Sequence, residues 1–497
     1  MFGQGVIKAL GNPKFEGVII GKIGLNLRDC ISCSKPKTIN QTDTMLHRVV
    51  SYWKLHKIPV LLALLSTLFY ITFGYDLERT DFLKLLILYL ALFFLCYKLI
   101  QFEKWNFKFL AIAGIIFRLG LFFATPNLSQ DFYRFIWDGQ MLNLGMSPYL
   151  HLPKDLIAEN NQFMPNAMEL VSGMGNLSAS NYSNYPPLNQ LIFGLSTFFA
   201  GKNITVAILV MRTSIILSDL GILYFGRKLL QKLNRSTHLI FWYFLNPLVI
   251  LELTGNLHFE GVMLFFFIWS IYLLHNKKWQ LAALIYALSI SIKLVPLIFL
   301  PLFVSYLGFK KSLFFYAIVG LSSLLLVSPF FSLDFLENYT HTVGLWFSNF
   351  EFNAGFYNLV KNIGIQFNAK PWELIKDYGK ITPVVVIVTV GLFAFLRDNK
   401  KTVALFAAML WVLTVYYFLS ATVHPWYIIF LVFLALFTEF RFPLVWSLSI
   451  ILSYWAYSVA GFKENYLLLT VEYLAVYGFM TYELVRLYNK KQLFHKK

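Results

Sequence analysis

"LNQLIFGLSTFFA" (residues 188–200) is apolar but only thirteen residues long. Whether it crosses a membrane decides the fold, because every later segment changes sides if it does. The hydrocarbon core of a bilayer takes about 20 residues of helix, so this stretch is too short for a comfortable crossing. The chain around it is built for lipid. Of its 497 residues, 58% are hydrophobic and 13% charged, where a soluble domain carries about 25% charged residues. Apolar runs long enough to cross a bilayer recur along the whole length. Spans are read at 58–75, 82–101, 109–125, 204–226, 238–254, 260–276, 279–293, 294–308, 311–331, 381–396, 402–420, 424–439, 442–460 and 466–487. An all-α polytopic membrane protein with about 14 transmembrane helices is therefore expected.

Charge decides between the two topologies. With 188–200 interfacial or re-entrant, one set of short loops holds Lys104, Lys108, Arg227, Lys228, Lys232, Arg235, Lys277, Lys278, Lys310, Lys311, Arg397, Lys400, Lys401 and Arg441. The opposite short connections hold only Arg79, Lys293 and Lys463. Lys and Arg gather in cytoplasmic loops, so the crowded set is cytoplasmic and 188–200 does not cross. The even number of spans then places both termini in the cytoplasm, in keeping with the basic segment 1–57 and the tail "NKKQLFHKK" (489–497). The same rule accounts for the net charge of +17 without nucleic acid as a partner. Cys30 and Cys33 form a lone C-x-x-C with no second pair to complete a zinc site. Residues 1–44 precede Met45 and are less apolar; they are expected to be a disordered extension or an artefact of the start codon. No apolar core occurs early enough for a cleavable signal peptide.

Two long connections, 126–203 and 332–380, then share the outer side. Both are dense in aromatics and read as folded caps. The layout is a cytoplasmic segment 1–57, two added helices over 58–101, and a membrane domain over 102–497. Polar clusters collect at the outer ends of the spans. Asp131, Arg134 and Asp138 open the first cap in "SQDFYRFIWDGQ" (129–140), and "SNYPPLNQ" (183–190) closes it. Glu252, His258 and Glu260 lie in "LNPLVILELTGNLHFEG" (245–261), Lys293 in "SIKLVPL" (291–297) and His424 in "ATVHPWY" (421–427). "WFSNFEFNAGFYNL" (346–359) occupies the second cap.

Each residue alone has a plainer role. Arg134 and Asp138 are spaced as an i,i+4 surface pair, Asp131 as a helix cap, and Lys293 as a snorkelling cation. His424 before Pro425 reads as an ordinary loop residue. Glu252 is harder to dismiss, since a carboxylate at the membrane boundary needs a partner or water. Arg212 and Asp219, seven apart on one face of a span, read as braces between helices. Together, carboxylates, cations and aromatics at a lipid–water boundary suit a reaction between a lipid phosphate and a polar acceptor. Aromatic faces hold sugar rings, Lys and Arg neutralise phosphate, and a carboxylate takes the proton of an attacking hydroxyl. Asp131 and Asp138 with Glu260 or His258 are also a conceivable divalent-cation set; the favoured expectation is that they bind sugar and each other, with no metal.

"SQDFYRFIWDGQMLNLGMSPYL" (129–150) resembles the "D-x-x-R-Y-x-W-D-G … G-x-N-P-Y" segment of bacterial GT-C superfamily glycosyltransferases that use polyprenyl-phosphate-linked mannose. "YPPLNQ" (185–190), "LNPLVILELTGNLHFEG" (245–261), "KLVPLIFLP" (293–301), "FEFNAGFYNL" (350–359) and "HPWY" (424–427) resemble that family's segments in the same order. The resemblance covers about 109–440. It implies a GT-C-like helical fold with its active site on the outer face of the cytoplasmic membrane, and Asp131 as catalytic base. Arg134, Trp137, Asp138, Tyr149, Tyr185, Glu252, His258, Glu260, Lys293, Asn353 and His424 fall in the matching segments as substrate-binding residues. It further implies a polyprenyl-phosphate sugar as donor and a glycan or glycolipid as acceptor; the leaving phosphate would need a preorganised cation, for which Lys293 and Arg134 are the candidates. Where "N-P-Y" is common, this chain has Ser147-Pro148-Tyr149, and where an Asp is frequent after the "G-N-x-H" turn it has Glu260. A flippase for lipid-linked saccharides would share the hydropathy, but transporters bind substrate at the bilayer midplane within repeated halves, and no repeat is visible here.

Overall fold

The computed structural model describes residues 41–159 and 163–495. Cys30, Cys33 and most of the N-terminal segment lie outside the described residues. The described residues are predominantly helical and hold no β-strand, only one isolated bridge. The first helices are α1 (Gln41–Tyr75), α2 (Phe82–Phe102) and α3 (Phe107–Gly120). The first cap contributes α4 (Asp131–Asn143), α5 (Pro153–Glu159), α6 (Ala167–Ala179) and α7 (Pro187–Ala200), and α8 (Ile204–Lys232) follows.

By length and composition, seven described helices can cross a membrane, and Thr237–Phe244 with Pro247–Gly255 adds a span bent by 52°. The other expected spans coincide with α3 and with shorter apolar helices at Glu260–His275, Trp279–Ile292, Val295–Leu307, Pro425–Ala435 and Phe442–Tyr457. Proline and tight 3₁₀ turns explain the shortening: Pro296 and Pro301, Pro425, and Pro443 sit in or at the start of these segments. Several expected boundaries move: the helices holding the spans read at 58–75 and 204–226 run Gln41–Tyr75 and Ile204–Lys232. The span read from 381 belongs to a helix that begins at Pro371. Several long helices turn apolar side chains outward, among them Leu61, Leu68, Leu313, Leu325, Ile387, Val388 and Leu467. Such a belt is at home against acyl chains and would be a liability in water.

α7 spans fourteen residues, about 21 Å at 1.5 Å per residue, the same length as α3 and Trp279–Ile292, so its length alone does not decide whether it crosses. Pro187 begins it at its first turn, where a missing N–H costs nothing. It packs closely on α4, and the seam between them is tight. A Cβ on Gly139 would sit 2.3 Å from the Phe193 carbonyl oxygen, so only glycine fits there. Asn189 donates to the Ile292 carbonyl (3.1 Å) and the Leu188 N–H to Ser291 Oγ (3.1 Å), so α7 is also tied to the turn that carries Lys293.

Arg212 and Asp219 brace the bundle, each through a different neighbour. Asp219 meets Arg118 of α3 at 2.8 Å with both side chains fully buried. Tyr243 donates to the same carboxylate at 3.1 Å. Arg212 donates to the carbonyls of Thr254, Gly255 and Phe122. It thereby satisfies acceptors left open where the bent span ends.

Candidate active site

The chain reaches Asp131 through a pinned entry. Asn127 donates to the carbonyls of Phe73 (2.7 Å) and Leu77 (3.0 Å) at the end of α1. The Leu128 N–H donates to Asn256 Oδ1 (3.0 Å), in the turn after the bent span. Ser129 Oγ accepts from the Asp131 N–H (3.2 Å). Asp131 is thus the first residue of α4, at the positive end of the helix dipole. Its side chain faces a cavity of about 790 Å³, within the range of small-molecule sites.

Segments far apart in sequence converge on this cavity. Its wall includes Arg79 from the α1–α2 turn, Asp131 and Arg134 of α4, Tyr185, Glu260, Lys293, Phe350 and the 424–427 segment. Residues on both sides of 188–200 therefore look into one space. That arrangement fits a non-crossing α7; a crossing one would put Asp131 and Lys293 on opposite faces. The second cap is stitched to the same wall. The Phe352 N–H donates to the Ala421 carbonyl (3.0 Å) and the Val423 N–H to the Phe352 carbonyl (2.8 Å). This bridge sets Phe350 and Phe352 against the His424 ring.

Electrostatics follow from burial and pairing. Burial raises the Asp131 carboxyl above its ordinary range, and Glu260 adds to the shift; Lys293, the Ser129 hydrogen bond and Arg79 oppose it. Lys293 Nζ pairs with Glu260 Oε1 at 2.8 Å. Glu260 Oε2 and His424 Nδ1 are buried and have no hydrogen-bond partner among the described residues. Burial, reinforced by Lys293, pushes His424 down to about 3. His258 is pushed well below its usual range, first by burial and then by Lys293 and His424. Both imidazoles are neutral. They flank Trp426, with ring centroids 3.7 Å away for His258 and 4.4 Å for His424.

The other expected site residues lie behind the wall. Asp138 is fully buried, accepting from Arg134 Nε (2.6 Å), Ser183 Oγ (2.6 Å) and Gln190 Nε2 (3.0 Å). The Arg134–Asp138 pair is an i,i+4 pair as its spacing suggests, but it is internal and clamps the cap instead of lying on its surface. Arg134 Nη1 also holds the carbonyls of Ser178 and Asn181. Trp137 is buried against Phe163. Tyr149 donates to the Tyr185 carbonyl (2.6 Å) and packs on Phe335 and Tyr339 of the second cap. Glu252 accepts from Tyr454 (2.7 Å) and stands 3.5 Å from His258. Asn353, in left-handed conformation, donates to Glu472 (3.0 Å) and anchors the second cap to the C-terminal helix. Asp138, Trp137, Tyr149, Glu252, His258 and Asn353 do not line the cavity, whereas Arg134 does.

Arg79, Tyr378 and Tyr457 do line it and were not singled out as site residues. Arg79 had a signal: it is one of three cations in the sparse set of connections. Among the described residues, no three His, Cys, Asp or Glu side chains gather closely enough to hold a metal ion.

The fold and cavity define a polytopic all-α membrane protein with a carboxylate-bearing, aromatic-walled site at the turns joining its helices. The pattern of the alpha-(1->6)-mannopyranosyltransferase N-terminal domain family matches residues 64–308, and that of the ALG3 protein family matches 256–362. The chain is also 26% identical over 192 residues to alpha-(1->6)-mannopyranosyltransferase A of Corynebacterium glutamicum, a stretch covering 38% of this chain and 36% of that relative. These likenesses bear out the resemblance to GT-C mannosyltransferases carried by residues 129–150. The first match begins inside α1 and so takes in the two N-terminal helices.

Proposed function

We propose that this chain transfers mannose from a polyprenyl-phosphate-linked donor to a hydroxyl of a glycan or glycolipid, at the outer face of the cytoplasmic membrane. The observation that carries this reading is the Asp131 carboxylate. It reaches the cavity from a helix N-terminus and makes no ion pair among the described residues. The acceptor oxygen attacks C1 of the mannose, the bond from C1 to the phosphate oxygen breaks, and Asp131 takes the hydroxyl proton. Attack from the face opposite the phosphate inverts the configuration at C1. The polyprenyl phosphate departs with the bonding electrons and needs a preorganised cation more than a proton. No metal is assigned a part. The mannosyltransferase likenesses support the sugar; the apolar belt supports a lipid-borne donor.

The test offers purified protein labelled polyprenyl-phosphate mannose and GDP-mannose in parallel. Transfer from the lipid donor is expected, and Asp131→Asn should lower it by about a hundredfold or more, the usual contribution of a general base. Equal or faster transfer from GDP-mannose would end this reading.

A further inference from the structure

Five charged side chains reach the cavity wall: Arg79, Asp131, Arg134, Glu260 and Lys293. Close pairing neutralises three of them. Arg134 is held by Asp138 at 2.6 Å, and Lys293 and Glu260 hold each other at 2.8 Å. Asp131 and Arg79 are left. Arg79 forms no ion pair among the described residues. Its guanidinium lies 4.1 Å from the centroid of the Tyr457 ring, and Nη1 donates to the Leu128 carbonyl at 3.1 Å. A guanidinium has five N–H donors, and this hydrogen bond uses one.

We infer that Arg79 is the cation that binds the phosphate of the lipid-linked donor, in place of Lys293 and Arg134; the assignment of that phosphate to a sugar donor rests on the function proposed above. The two displaced candidates are occupied. Arg134 spends Nε on Asp138 and Nη1 on two carbonyls, and its one unpartnered nitrogen, Nη2, is buried. Lys293 would have to leave Glu260. Arg79 lies over the Tyr457 ring with its remaining donors uncommitted, the condition for forked recognition of a phosphate. Asp131 and Arg79 act on each other through space without pairing. Base and cation thus share one volume without cancelling, as a displacement at C1 requires of the groups serving the nucleophile and the leaving group. Arg79 lies on the α1–α2 turn, so these two helices carry part of the site.

The test measures binding of polyprenyl phosphate, polyprenol and inorganic phosphate to the full-length protein in nanodiscs. Wild type should prefer polyprenyl phosphate over polyprenol. Arg79→Gln should lose that preference, with polyprenyl phosphate weakened about tenfold or more, as expected for a lost charge-assisted hydrogen bond, and polyprenol unchanged. Arg79→Lys should recover part of the loss. Equal weakening of both lipids would mean that Arg79 only supports the wall, and no weakening of either would mean that it binds nothing; each overturns the inference. So does Arg79-dependent binding of inorganic phosphate that polyprenyl phosphate fails to displace. Failure of the proposed function is distinguishable: Arg79-dependent lipid-phosphate binding with no mannose transfer by wild type keeps this inference and ends that one. Transfer by wild type with unaltered binding by Arg79→Gln does the reverse.

Discussion

Asp131 works as a base only when ionised, and its neighbours pull its pKa in opposite directions. Burial and Glu260 raise it; Lys293 and Arg79 lower it. The acid limb of kcat/KM should therefore lie above the ordinary carboxylate range. Removing the cation in Lys293→Met should move that limb to higher pH, and removing the charge in Glu260→Gln should move it to lower pH. Rate profiles from pH 4 to 8 in a fixed salt concentration check both, and shifts of the same sign in the two variants would contradict the arrangement. At this scale the motif at 129–140 is legible because one short helix carries it. Asp131 reaches the cavity as its position implies. That Asp138 turns inward is not legible, since its partners Ser183 and Gln190 lie about 50 residues away and nothing in the spacing announces them. Arg79 is obscured for a similar reason: its place on the wall depends on how the α1–α2 turn packs against Leu128 and Tyr457.

At the scale of elements, the α4–α7 seam is the joint that sets the angle of the first cap. Gly139→Ala would drive a Cβ into the Phe193 backbone, which cannot rotate away as a side chain would. Overpacking of this kind costs about 1–3 kcal/mol. The melting temperature in detergent should fall, while Gly194→Ala, whose Cβ would meet only Leu142 side-chain atoms at 3.4 Å or beyond, should be near neutral. A Gly139→Ala protein as stable as wild type would mean that the seam is looser than drawn. Apolar runs locate the helices well because lipid demands them. Their lengths are less legible, because Pro296, Pro301 and Pro425 convert single runs into broken helices without altering hydropathy.

The whole molecule turns on sidedness. Single cysteines at Asn176, Lys370 and Lys463 should label with an impermeant thiol reagent in intact cells, and those at Asn234 and Lys400 should not, in a background lacking Cys30, Cys33 and Cys96. All five positions are exposed, so protection reports the membrane and not burial. Labelling of Asn234→Cys with Lys463→Cys protected would overturn the outer placement of the site. The positive-inside count is the sequence feature on which this expected topology rests. The cavity itself was not readable, because its walls come from the α1–α2 turn, both caps and four further turns, and no local pattern records how they meet.

The two imidazoles on either side of Trp426 have a consequence for the conditions such a protein tolerates. On the proposed outer placement, the site meets whatever acidity surrounds the cell. Histidine ordinarily changes charge within that range, yet His424 is held down near 3 and His258 well below its usual value. Mild acidification of the surroundings therefore leaves the aromatic wall electrically silent. If Asp131 is the base proposed above, the response to external acid falls on it, and a single carboxylate sets how sour a medium the chemistry can endure.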